Sequence, residues 1–191
     1  MKTPIWIAIL FAAMVLAQWI VPGSMIYDSQ EIITKRVPLK FKCTPVDPND
    51  PFRGKYITLD FDIRQFSVDS SRCFQERSDV IAVLKIDSSG FAVFDDVRKD
   101  APSNSEPFLK LPISYISNID KTTELNFNIP FNRFYMEEYK APVAEALYWQ
   151  GVSDTIGNTY ALVYVYKGNA RIKDVFVRDT SILDRLGVRG Y

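Results

Sequence analysis

Few side chains in this 191-residue chain are equipped for chemistry, because it contains no histidine. Without an imidazole, Ser-His-Asp and Cys-His catalysis, histidine-ligated zinc and the ordinary neutral-pH proton shuttle are excluded. Ser24 with a lysine would make a nucleophile that needs no histidine. Cys43 and Cys73 are the only cysteines. In an oxidising compartment they would form a disulfide contributing about 3 to 4 kcal/mol by chain entropy. The alternative makes Cys43 an inward-facing strand residue and Cys73 a loop thiol. Asp47, Asp50, Asp60 and Asp62 are calcium ligands by type, but Asp47-x-x-Asp50 lacks the repeating pattern of calcium loops, and Asx-turn capping accounts for it. The last constellation is Arg53 and Tyr56 with Arg133, Glu138 and Glu145. The two glutamates are seven residues apart, so they share a face if a helix begins early enough. These five residues form either a polar recognition surface, to which arginine and tyrosine are suited, or an internal salt-bridge network. No catalytic set, metal site or cofactor follows from them.

The element that must position Arg53 and Tyr56 is the stretch from Pro45 to Phe61. Pro45, Pro48 and Pro51 restrict the backbone, and Asp47, Asn49 and Asp50 bond their own turns. Tyr56, Thr58 and Asp60 then alternate with Ile57, Leu59 and Phe61, the pattern of a half-buried strand. A structured loop thus delivers Arg53 and Gly54 to the start of a strand. For Glu145 the element is a helix over Pro142 to Gln150, with proline in a permitted first-turn position and Val143, Ala146, Leu147 and Trp149 as its large or apolar residues.

Composition bounds the rest. The chain is 47% hydrophobic, enough for one core, and its 23 basic residues balance its 23 acidic ones. The positive charges are scattered, which argues against nucleic-acid binding. Thr3 to Tyr27 carries no charged side chain and as a helix would be about 37 Å long, sufficient for a hydrocarbon core of about 30 Å. Lys2 precedes it and Asp28 and Glu31 follow, which favours a cytoplasmic N-terminus. Lys35 and Arg36 reduce this asymmetry without reversing it. A cleaved leader ending at Val15-Leu16-Ala17 competes with an uncleaved anchor. Pro22-Gly23 is expected to kink or end the span, with a stalk beyond it.

Further strands are expected over Val37 to Cys43, Val80 to Ile86, Phe91 to Val97, Ile113 to Ile116, Thr123 to Ile129, Tyr160 to Tyr166 and Ala170 to Val177. Lys99 to Pro112, with three prolines, reads as a loop. Ser181 to Leu186 has helical spacing. The expectation is a mainly β chain, an antiparallel sandwich or open barrel with one short helix, preceded by an N-terminal transmembrane helix. Its parts are an anchor over residues 1–27, a stalk over 28–36 and a β-rich domain over 37–191.

The run Pro45, Val46, Asp47, Pro48, Asp50, Arg53, Gly54, Tyr56, Leu59 and Phe61 resembles the signature of the GDYXXLXY proteins, a bacterial family of unassigned function. Lys55 replaces the acidic second residue and Phe61 the final tyrosine. Arg133, Phe134, Tyr135, Glu138 and Glu145 resemble a second block of that family, with Glu137 in place of proline and Tyr139 in place of glycine. The resemblance implies a membrane-anchored, extracytoplasmic (in a Gram-negative cell, periplasmic) accessory or interaction module beside a multi-span membrane protein. Two alternatives stand. Val21-Pro22-Gly23-Ser24-Met25 is similar to the serine box of signal peptidases, although no matching lysine block occurs over Arg64 to Arg77. The other is a periplasmic ligand-binding module with a tyrosine-lined pocket.

Overall fold

The computed structural model describes residues 5–34, 37–44, 56–102, 106–119, 122–153 and 158–187. The chain divides into two units, Met1–Arg36 and Val37–Tyr191.

The first unit is one helix, α1 (Ile5–Thr34). Within it Ile5–Ser24 is long and apolar enough to cross a membrane. Trp6, Leu10, Phe11, Leu16 and Trp19 are exposed, the presentation of apolar side chains that a lipid-facing helix requires. Pro22 and Gly23 do not end the helix, which runs a further eleven residues, from Ser24 to Thr34. A proline removes one backbone hydrogen bond and is tolerated in membrane helices.

The second unit is built from β1 (Val37–Thr44), β2 (Tyr56–Thr58), β3 (Asp60–Phe61), β4 (Gln65–Asp69), β5 (Asp79–Ile86), β6 (Ala92–Arg98), β7 (Phe108–Ile119), β8 (Thr122–Phe127), β9 (Arg133–Tyr135), α2 (Ala141–Ser153), β10 (Thr159–Tyr166), β11 (Asn169–Val177), β12 (Thr180–Ser181) and α3 (Ile182–Arg185). One five-stranded sheet has the order β12-β11-β10-β1-β3, a second β4-β8-β7-β5-β6, and β2 pairs with β9 by itself. All these pairings are antiparallel. The large sheets share a core in which Leu39, Phe41 and Val163 from one meet Leu111, Leu125 and Phe94 from the other. The fold is mainly β, as the strand patterns predict.

Local sequence explains most elements. In β1, Leu39, Phe41 and Cys43 are buried and the residues between them exposed. The β10–β11 hairpin turns on Lys167 and Gly168, with φ of 48° and 84°, the positive pair that a two-residue primed turn demands. Its tip ties the sheets together, since the Lys110 N–H donates to the Gly168 carbonyl at 2.9 Å. In the β5–β6 hairpin, Asp87 Oδ1 accepts from the Ser89 and Phe91 amides at 2.9 and 2.8 Å, while Gly90 takes φ of 85°.

Two expectations need correction. The loop expected over Lys99 to Pro112 ends sooner, because Phe108 to Pro112 forms the first part of β7, with Leu109 and Leu111 buried. Pro112 lies where β7 passes from pairing with β5 to pairing with β8, a changeover that tolerates its missing N–H. The buried stripe of α2 is Ala141, Ala144, Tyr148 and Gly151, whereas Val143 and Ala146 are exposed. Small side chains bring this helix close to the sheet.

Candidate functional site

The strand expected from Tyr56 to Phe61 alternates in burial as its pattern predicts, but it serves two partners. Tyr56, Ile57 and Thr58 pair with Tyr135, Phe134 and Arg133. Asp60 and Phe61 pair with Thr44 and Cys43 on β1. Leu59 lies between, its N–H donating to the Asn132 carbonyl at 2.8 Å. The side chains pointing inward are anchored: Phe61, Phe41 and Phe131 form a triangle of rings with centroids 5.5 to 5.8 Å apart.

The outward side chains form a surface. Ile57 and Phe134 are buried, which turns Tyr56, Arg133 and Tyr135 to the other face. The Tyr56 and Tyr135 rings lie 5.5 Å apart, and the Arg133 guanidinium sits 5.0 Å from the Tyr56 ring centre. Hydrogen bonding to Tyr135 first, then charge interaction with Tyr56, raises the Arg133 pKa above its ordinary value. Arg133 therefore remains a cation, held over the Tyr56 ring. Tyr135 and Tyr139 are 65% and 73% exposed and Val143 54%, so aromatic and apolar area continues from β9 to the first turn of α2.

The sequence-predicted residues are placed as follows. Tyr56 and Arg133 are brought into contact. Glu138 is exposed ahead of α2 and Glu145 is half-buried on it. Among the described residues neither glutamate joins Arg133 in an ion pair, and the local pair is Glu137 with Lys140 at 2.9 Å. Asp47, Asp50 and Arg53 lie outside the described residues, as do Gly54 and Lys55. Ser24 is inside α1, and residues 5–34 contain no lysine, so no serine-lysine pair forms within that helix. Among the described residues, no group of three or more His, Cys, Asp or Glu side chains is arranged to hold a metal ion.

Cys43 and Cys73 are free thiols, one buried and one exposed, so the disulfide considered from the sequence is not formed. Cys43 faces the core and burial pushes its thiol up to about 12. The structure adds a residue that sequence reasoning missed, Tyr148 on α2. It is fully buried, its hydroxyl donates to the Thr44 carbonyl at 3.2 Å, and it receives the Asp60 N–H at 3.5 Å. Burial raises its pKa strongly, with the neighbouring Cys43 adding to the effect. Neither group is a nucleophile or base at neutral pH; their role is to pin α2 to the ends of β1 and β3.

The signature strand, split between β1 and β9, and the second block paired to it across β2 and β9 lie within one family match. The GDYXXLXY protein family matches residues 18–175. The chain belongs to that family. No curated protein matches it, and no solved structure does. For the GDYXXLXY fold, the outcome is that Leu59 and Phe61 of the signature serve the core while Tyr56 serves the surface. The expectation of a multi-span membrane protein as partner is corrected: among the described residues this chain has one helix, not several, long and apolar enough to cross a membrane, which argues against a multi-span topology. A single N-terminal membrane segment followed by a β-rich domain is consistent with single-pass anchoring.

Proposed function

We propose that this GDYXXLXY protein is a membrane-anchored, extracytoplasmic accessory module that docks a partner protein through the Tyr56–Arg133–Tyr135 surface and performs no catalysis itself. The observation that carries the reading is the Arg133 guanidinium, stacked on Tyr56 and lacking a carboxylate partner among the described residues. Arginine and tyrosine with exposed ring area are the residues on which interface energy concentrates. The matching partner surface presents a carboxylate to Arg133 and apolar groups to Tyr135, Tyr139 and Val143. The proposed orientation rests on Lys2 before the apolar segment and Asp28 and Glu31 after it, an asymmetry that Lys35 and Arg36 reduce.

A photoactivatable residue in place of Tyr139, irradiated in intact cells, is expected to yield a discrete adduct. Arg133→Ala or Tyr135→Ala should reduce its yield about tenfold, since each removes a contact worth about 1 to 2 kcal/mol. The comparison position is Ile86, also exposed but at the end of β5. Equal labelling from both positions would sink the docking reading.

Orientation is tested through the thiols. Cys73 is exposed and Cys43 buried, so a membrane-impermeant maleimide added to spheroplasts should label one site, and Cys73→Ser should abolish the labelling. Labelling that appears only after lysis would place the domain in the cytoplasm.

A further inference from the structure

A pocket of about 210 Å³ lies behind the signature strand, separate from the Arg133 surface and independent of the docking proposed for it. Its floor includes Phe61 and Phe127, both buried. Its polar wall is Asp60, Arg64, Ser114, Asn128 and Asn132. Asp60 and Arg64 form an ion pair, so their charges cancel. Asp60 is held further by the Phe61 amide, which donates to its Oδ1 at 2.9 Å. The side chains of Ser114, Asn128 and Asn132 make no hydrogen bond among the described residues. Ser114 comes from β7, and Asn128 and Asn132 from the connection between β8 and β9.

Ser114 owes its place to a bulge. The register of β7 against β8 shifts between Ile113 and Tyr115, leaving Ser114 with no residue opposite. Such bulges re-aim single side chains, often beside functional sites. Asn132 is fixed through its backbone, whose carbonyl accepts from Leu59, while its amide is unused.

We propose that this pocket binds a neutral, hydroxyl-rich ligand of single-ring size, either a free monosaccharide or the terminal sugar of a glycan. Two amides offer both donors and acceptors, the serine hydroxyl does the same, and the Asp60–Arg64 pair supplies an acceptor and a donor without net charge. That set matches a ring of vicinal hydroxyls. A free anion would have to compete with Asp60 for Arg64. The volume falls below the roughly 300 Å³ at which drug-sized ligand sites begin, which leaves room for one ring. Specificity would come from the three unpaired side chains, and affinity from covering the apolar floor.

The test is saturation-transfer NMR on the full chain in a phosphocholine detergent, which carries no sugar headgroup. The probes are glucose, N-acetylglucosamine and their methyl glycosides, with glycerol as the reference. Transfer to ring protons is expected for at least one sugar, with binding about tenfold weaker in Asn128→Ala and in Ser114→Ala. Both substitutions are at exposed positions, and unchanged circular dichroism confirms folded protein. Binding of the free sugar alone identifies a monosaccharide site, and equal binding of the methyl glycoside a glycan-end site. Transfer no greater than glycerol's for every sugar, or unchanged in both variants, overturns the proposal.

Discussion

Tyr148→Ala is expected to destabilise the β-rich unit by about 3 to 5 kcal/mol, the range for emptying a large aromatic site in a core. Against a typical total of about 5 to 15 kcal/mol, that loss leaves much of the protein unfolded or degraded. The side chain fills space between α2 and the sheet and is fully buried. Its hydroxyl also closes the junction of β1 and β3 through Thr44 and Asp60. Tyr148→Phe separates the two contributions, because it keeps the ring and removes only the hydroxyl, with its donation to Thr44 and its acceptance from Asp60. Its expected cost is about 1 to 2 kcal/mol. Urea unfolding of the full chain in detergent gives both values, and the adjacent Trp149, 6.0 Å away between ring centres, reports locally. Equal losses for the two variants would mean the ring's packing carries nothing.

Gly151→Ala should also destabilise, against helix propensity. In an exposed helix alanine is better than glycine by about 1 kcal/mol. Here a Cβ would lie 2.3 Å from Val177 Cγ1 and 2.7 Å from Thr159 Oγ1, so either α2 or β11 must move. Overpacking of this kind costs about 1 to 3 kcal/mol. Thr159 Oγ1 is already buried without a hydrogen bond among the described residues. Pairing the change with Val177→Ala removes the closer methyl and should recover part of the loss, a coupling readable in a double-mutant cycle. Gly151→Ala protein as stable as the parent would show that α2 is not seated on β10 and β11 in this way.

These two residues also mark where reading the sequence succeeds and fails. Strands whose inward residues are large and alternate, such as β1, or whose turn has a glycine and a clean two-residue gap, such as β10–β11, are legible because the cause is local. The face of α2 was not. Hydrophobicity points to Val143 and Trp149, while the helix seats itself by Ala144 and Gly151, where the gain comes from close approach. Lys99 to Pro112 misled through its prolines, although the alternation of Leu109 and Leu111 with Phe108 and Lys110 was there to be seen. For the candidate site, Tyr56 and Arg133 were identifiable as residue types. Their contact depends on β2 meeting β9 across more than seventy positions, and no spacing encodes that. The alternation Arg133, Phe134, Tyr135 was the available clue that Tyr135 shares their face. The Ser114 bulge and the Tyr148 junction arise from tertiary register alone.

The placement of β1 has a consequence for how the molecule is made. This strand opens the β-rich unit, yet it pairs along Val37 to Lys42 with Tyr160 to Val165, near the other end of the chain. Contacts of such long sequence separation impose a high loop-closure cost and slow folding. During synthesis, which adds about 5 to 20 residues per second, β1 must wait for nearly the whole unit before its main neighbour exists. A chain emerging N-terminus first would therefore hold Leu39, Phe41 and Cys43 uncovered for several seconds. That interval is when a holdase would have most to protect.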